Sequence, residues 1–243
     1  MFIFIRLLLG HCIGDFPLQF NKIYELKHKG LTGGIPHALL VVLCYLLLCW
    51  PYLALPQLWS FILFLGILHL VQDSMKISFG KIKYSFWFYI LDQLFHIAII
   101  AAVFLTNLKN VTAPKNTGGL IVSLYNNDLL VLYLITLILA TYNGLYLIRS
   151  YKVTFYDRPD VYSDFEKWHG IFERAVIVSI FFAGGYLFWV LPLLLAGRPV
   201  IFLLGRKRNL IRKHFISFQE TALSWVIALL CGLLFYFLKQ NFY

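Results

Sequence analysis

The stretch QLWSFILFLGILHLVQDSM, residues 57–75, is almost unbroken apolar sequence with a histidine, His69, and an aspartate, Asp73, set four apart near its end. As a helix it covers about 28 Å, close to the ~30 Å hydrocarbon core of a bilayer. Apolar residues surround the whole axis, where a surface helix of a soluble protein would keep a polar face. The segment reads as a membrane span. Its two ionisable side chains then read as part of a site, because such groups are costly in lipid.

The rest of the chain repeats this pattern. Of 243 residues, 60% are apolar and 13% charged, about half the ~25% charged share of an ordinary soluble domain. A soluble fold could not hide so much apolar surface, which excludes a soluble enzyme, a secreted disulfide scaffold and a disordered tail. Hydropathy marks spans at about 2–20, 35–55, 57–75, 86–106 and 128–148, a long stretch at 171–204, and a last span at 216–238. The four cysteines, Cys12, Cys44, Cys49 and Cys231, sit inside apolar runs without CxxC spacing and read as small filler rather than thiolate ligands. The start, MFIFIRLLLG, has no charged segment before its apolar core and no small-x-small cleavage site after it, so it is expected to be a retained span.

The net charge of +10 is clustered between the spans. The connections 21–34, 76–85, 149–170 and 205–215 carry most of the Lys and Arg, and the positive-inside rule puts them in the cytoplasm. One span over 171–204 would throw the cations of 205–215 outside, and as one helix it would measure about 51 Å. A break at Gly184-Gly185 resolves both difficulties, giving helices at about 171–183 and 186–204. The expected fold is an all-α, polytopic transmembrane helical bundle of about eight helical elements, a single domain over 1–243 with both termini on the non-cytoplasmic side. Lipid bilayer, and no nucleic acid, is the surrounding partner this predicts.

Ionisable residues inside the spans recur at one spacing. His11 and Asp15 are four apart in the first span, His69 and Asp73 in the third, and Asp92 and His96 in the fourth, while His37 opens the second. Positions i and i+4 share a helix face, so each pair presents imidazole and carboxylate to one point, as paired side chains do on the zinc-binding HExxH helix. The predicted topology puts all seven in the cytoplasmic leaflet, with Glu173, Arg174 and Arg198. An internal hairpin repeat, 1–56 and 57–106, fits the 58-residue step from His11 to His69 and the 59-residue step from His37 to His96. Other readings stay open: an HxxxD pair can be a structural hydrogen bond between helices, Lys76 can bind phosphate or snorkel to headgroups, and Glu173-Arg174 can be an ion pair at a helix start. Arg198, inside Gly-Arg-Pro, reads as functional. Arg6 is expected to snorkel from the outer end of the first span.

These residues carry a resemblance. His11-Cys-Ile-Gly-Asp15-Phe16-Pro-Leu18-Gln19, His37, His69-Leu-Val-Gln-Asp73-Ser-Met-Lys76, Asp92-Gln93-Leu-Phe-His96 and Gly170-Ile-Phe-Glu173-Arg174 resemble an uncharacterised bacterial membrane family, domain-of-unknown-function family 3307. The resemblance implies a site and a bacterial inner (cytoplasmic) membrane location, and names no reaction.

Imidazoles and carboxylates together suit Zn, Mn or Fe rather than Cu(I). A divalent metal would also neutralise carboxylates that repel one another in a dry interior. His11, Asp15, His37, His69 and Asp73 are the expected metal ligands. Asp92 and His96 would handle protons, and Lys76 and Arg198 would neutralise an anionic lipid substrate. The function expected first is a membrane-embedded, metal-dependent hydrolase acting on a lipid phosphate or ester. A metal-ion or proton transporter would use the same residues, and a non-catalytic scaffold binding anionic lipid or a protein partner would use the basic face.

Overall fold

The computed structural model describes residues 1–27, 30–79, 85–114, 119–156, 164–206 and 218–242. These form helices and their connections, with no strand among the described residues: α1 (Phe2–Asp15), α2 (Asn21–Lys27), α3 (Leu31–Leu48), α4 (Pro56–Ser78), α5 (Phe86–Ala101), α6 (Leu120–Asn126), α7 (Asp128–Ile138), α8 (Gly144–Tyr156), α9 (Asp164–Ala183), α10 (Leu191–Arg206) and α11 (Phe218–Phe242). Among the described residues, five helical stretches are long and apolar enough to cross a membrane: Leu31–Leu48, Pro56–Ser78, Phe86–Leu105, Asp128–Phe155 and Glu220–Asn241. The chain is an all-α membrane protein. Packing divides it into two compact units, Met1–Ile135 and Thr136–Tyr243, a finer division than hydropathy alone describes.

In the first unit α1 is the buried helix, with eleven of its fourteen residues out of contact with the surroundings. Gly10 and Gly14, one turn apart, turn toward α3. A Cβ on Gly14 would stand 2.8 Å from Val41 Cγ2 and 3.0 Å from Val41 Cα, and one on Gly10 would stand 3.0 Å from Tyr45 Cδ1. Small residues at this spacing let two helix backbones approach closely, the usual device where lipid supplies no hydrophobic drive to association. Gly66 of α4 meets Val42 in the same way. Leu7, Val41, Tyr45, Leu58, Ile62, Leu65 and Ile100 close the core around these contacts.

Three sequence expectations change in this unit. The first helix ends at Asp15 instead of running to residue 20, because Pro17 has no N–H to donate to the helix. At 14 residues α1 measures about 21 Å. The second helix begins at Leu31, a turn before the expected 35, with Pro36 inside it. Arg6 does not snorkel. It is 1% exposed, pairs with the Asp128 carboxylate, donates to Tyr125 O at 2.5 Å and lies over the Phe2 ring. Its partner is far away in sequence, so nothing near Arg6 announces the pairing.

In the second unit α9 packs against α11, where a Cβ on Gly232 would fall 2.3 Å from Phe181 Cδ2. The break expected at Gly184-Gly185 is present. Both residues have positive φ, 71° and 62°, which glycine adopts without strain, and a 3₁₀ turn, Gly185–Val190, leads into α10. The helix before the break starts at Asp164 rather than near 171, so it is 20 residues long instead of a stub. Arg174 is buried and fastens a π-helical turn over Leu139–Asn143: its Nε donates to Ala140 O at 2.7 Å, Nη2 to Thr141 O at 3.1 Å and Nη1 to Ser224 Oγ at 3.0 Å. Glu173 accepts from Trp225 Nε1 at 3.0 Å. Glu173 and Arg174 thus hold the second unit's own helices together. The side chain of Arg198 lies outside the described residues.

Candidate functional site

All seven histidines and aspartates singled out by their spacing lie in the first unit, and each is at most 7% exposed. α1 carries His11 and Asp15 one turn apart, α3 presents His37 just after Pro36, α4 carries His69 and Asp73, and α5 carries Asp92 and His96. The glycine seam between α1 and α3 brings Asp15 Oδ1 within 3.0 Å of His37 Nε2.

Four side chains from three helices form the inner knot. His37 Nε2 is 3.2 Å from His69 Nε2 and 3.6 Å from Asp73 Oδ2. His69 Nε2 is 3.3 Å from Asp73 Oδ2 and 4.0 Å from Asp15 Oδ1. With the Asp15–His37 contact, these separations bracket the ~3.3 Å between neighbouring ligand atoms that tetrahedral bonds of 2.0–2.1 Å to zinc would produce. Two overlapping trios have ligand atoms all within 4.8 Å of one another: Asp15, His37 and His69, and His69, Asp73 and His96. His69 belongs to both.

The remaining groups form a shell. His11 stands off the knot, its Nε2 4.0 Å from Asp15 Oδ2, and its ring stacks on His96 with centroids 4.8 Å apart. The His96 ring meets His69 edge-on at 4.7 Å. His96 Nδ1 is 2.8 Å from Asp92 O and 2.7 Å from Gln72 Nε2, which fixes the imidazole and leaves Nε2 on its far side. Asp92 lies away from the knot. Its Oδ2 accepts from Lys76 Nζ at 2.5 Å and from Gln93 Nε2 at 3.2 Å. Lys76 is therefore half of an ion pair, with its side chain still 22% exposed.

Two members escaped the sequence reading. Lys27, at the end of α2, reads as one more cation of a cytoplasmic connection, yet its Nζ sits 2.6 Å from Asp73 Oδ2 and the residue is 8% exposed. Burial pushes its pKa down, but the Asp73 and Asp15 carboxylates outweigh that and hold it above the ordinary lysine value, so Lys27 stays cationic at neutral pH. Gln72 lies in the HLVQD segment, and only the geometry shows it holding His96. Lys27 and Lys76 answer the mutual repulsion of the carboxylates directly, so a metal is not required for that purpose.

What the lysines leave unanswered is the imidazoles. Both nitrogens of His11, Nδ1 of His37 and His69, and Nε2 of His96 are buried without a hydrogen-bond partner among the described residues. A buried polar atom without a partner costs about 1–3 kcal/mol. Several in one cluster are the mark of a place built for a ligand, an ion or ordered water.

A family model described as protein of unknown function (DUF3307) matches residues 3–118. No curated protein and no solved structure matches the chain. The segment Gly170–Arg174, expected to share the resemblance, lies beyond the matched residues. The whole His/Asp cluster lies within them, and over these residues the chain matches this family.

Proposed function

We propose that the protein is a membrane-embedded, metal-dependent enzyme whose cluster holds a divalent ion of the Zn, Mn or Fe class and acts on a lipid phosphate or ester at the inner-membrane surface. The observation that supports this reading is the inner knot. His37 and His69 each stand 3.0–4.0 Å from one another and from a carboxylate oxygen of Asp15 and of Asp73, all four residues buried. When bound, such an ion polarises a phosphoryl or carbonyl oxygen as a Lewis acid. The chain's own residues supply the rest. Lys27 balances the charge of Asp73, Gln72 and the Asp92 carbonyl orient His96, and the unpartnered Nε2 of His96 takes or returns a proton. Lys76, shared with Asp92, offers an ammonium to an anionic substrate.

Metal analysis of the purified protein tests this. Wild type is expected to carry about one equivalent of a single transition metal, and His69→Ala and Asp73→Ala to lose it with helicity unchanged. Folded wild type that stays metal-free after incubation with Zn, Mn and Fe removes the reading.

One observation favours a second reading. The rings of His11, His96, His69 and His37 succeed one another at centroid distances of 4.8, 4.7 and 5.1 Å, an arrangement that would also serve a proton or metal-ion path. Flux into proteoliposomes, abolished by His69→Ala, would favour transport over hydrolysis.

A further inference from the structure

A cavity of about 410 Å³ runs between α4 and α5. Leu68, Val71 and Met75 line one wall, and Leu91, Phe95 and Ile99 the other. Phe79 and Phe88, also in its lining, pack with ring centroids 5.2 Å apart at the end beyond Lys76. Val71, Met75, Leu91 and Phe95 are all exposed, so the groove is open along its length to whatever surrounds these two helices, both of which are long and apolar enough to cross a membrane. From Leu68 to Lys76 is about 12 Å along α4, most of the ~15 Å depth of one leaflet's hydrocarbon.

The groove is apolar except at one place. Gln72, Lys76 and Asp92 are its polar lining, and they are also the residues that touch the cluster. Gln72 Nε2 and Asp92 O both contact His96 Nδ1, and Lys76 pairs with Asp92. The Oε1 of Gln72 is buried without a hydrogen-bond partner among the described residues. An apolar trough with a few convergent polar groups is the usual form of a small-molecule site. This one joins its apolar walls to the His96 imidazole through the Gln72 side chain and the Asp92 carbonyl.

We infer that the α4–α5 groove binds one acyl chain of an anionic glycerolipid entering sideways from the bilayer, with its ester and phosphate region at Gln72 and Lys76. Any reaction of the bound lipid rests on the enzyme reading, but the binding itself does not depend on a metal. The apolar walls match a hydrocarbon chain, their length above Lys76 covers most of a leaflet, and the ammonium lies where the chain's polar end would come to rest. A water-soluble phosphate would use Lys76 but leave the walls uncovered.

The test uses full-length protein in phosphatidylcholine nanodiscs containing about 1 mol% phosphatidylglycerol with a diazirine midway along one acyl chain. Photolysis is coupled to peptide mapping, and metal content is measured on the same sample. Adducts are expected on Val71 and Phe95, above those on Leu43 and Leu63, which are comparably exposed but lie outside the groove. Unlabelled phosphatidylglycerol should compete them away, and inorganic phosphate should not. Leu68→Trp, or Leu91→Trp should the first fail to fold, is expected to cut groove labelling roughly tenfold, equivalent to about 1.4 kcal/mol of affinity. Equal labelling of groove and control positions, or labelling indifferent to both substitutions, overturns the inference. Selective labelling on a protein without metal keeps the groove and removes the enzyme reading. Bound metal without selective labelling does the reverse.

Discussion

His69 faces both trios of ligand atoms, so its loss should differ in kind from the loss of its neighbours. His69→Ala is expected to abolish stoichiometric metal. His11→Ala and Gln72→Ala, which act through His96, should weaken affinity about 10- to 100-fold, as losses around a metal's direct ligands commonly do. Calorimetric titration of the metal-stripped protein separates these outcomes, and equal losses in all three variants would refute the distinction. Arg6 makes a sharper stability prediction. Arg6→Ala strands Asp128 and removes the cation over Phe2, costing about 3 kcal/mol in thermal unfolding, and Arg6→Met/Asp128→Leu should recover most of it. Six of the His and Asp members are legible in the sequence because three i, i+4 pairs recur inside apolar spans, and His37 stands out as the lone histidine opening its own span. Lys27 is not, since a lysine in a basic connection looks the same whether it meets headgroups or Asp73. Arg6 misleads because its partner stands 122 positions away.

Among the elements, the α1–α3 seam decides whether the knot exists. Gly14→Ala would force a methyl against both a side chain and the backbone of Val41. The expected cost is about 1–3 kcal/mol, with a loss of metal affinity as Asp15 moves from His37. Adding Val41→Ala relieves the contact with Cγ2 but not that with Cα, so the rescue should be partial. Full rescue in melting temperature and metal content would show that the backbones are not in close approach. Ser85 offers a milder check, since its hydroxyl caps α5 by accepting from Phe88 N–H at 3.2 Å. Ser85→Ala should cost about 1 kcal/mol and leave the knot loaded. The break at Gly184-Gly185 is readable because two adjacent glycines interrupt a run too long for one crossing. The end of α1 is not, because the apolar run continues through Phe16, Leu18 and Phe20 past the proline that stops the helix. Hydropathy reports burial, and Pro17 acts on backbone geometry.

At the level of the whole chain, membrane class and the position of the break are set by composition and run length, whereas the short helices α2 and α6 lie in segments that read as connections. The division into Met1–Ile135 and Thr136–Tyr243 is not, because both halves are equally apolar and packing between helices leaves little trace in hydropathy. Removing metal with a chelator should speed amide hydrogen exchange in α1, α3 and α4 while leaving α9 and α11 unchanged, and a uniform response along the chain would contradict a centre confined to the first unit. The burial of α1 bears on how the protein is made. This helix leaves the ribosome before α3, α4 and α5, yet it spends its surface on those later segments, carries Arg6, His11 and Asp15, and reaches about 21 Å. Three ionisable side chains in fourteen residues, and a length short of the ~30 Å hydrocarbon core, make partitioning into lipid alone unfavourable. Stable placement of α1 is therefore expected to follow the synthesis of α3, the two settling in the bilayer as a pair rather than one after the other.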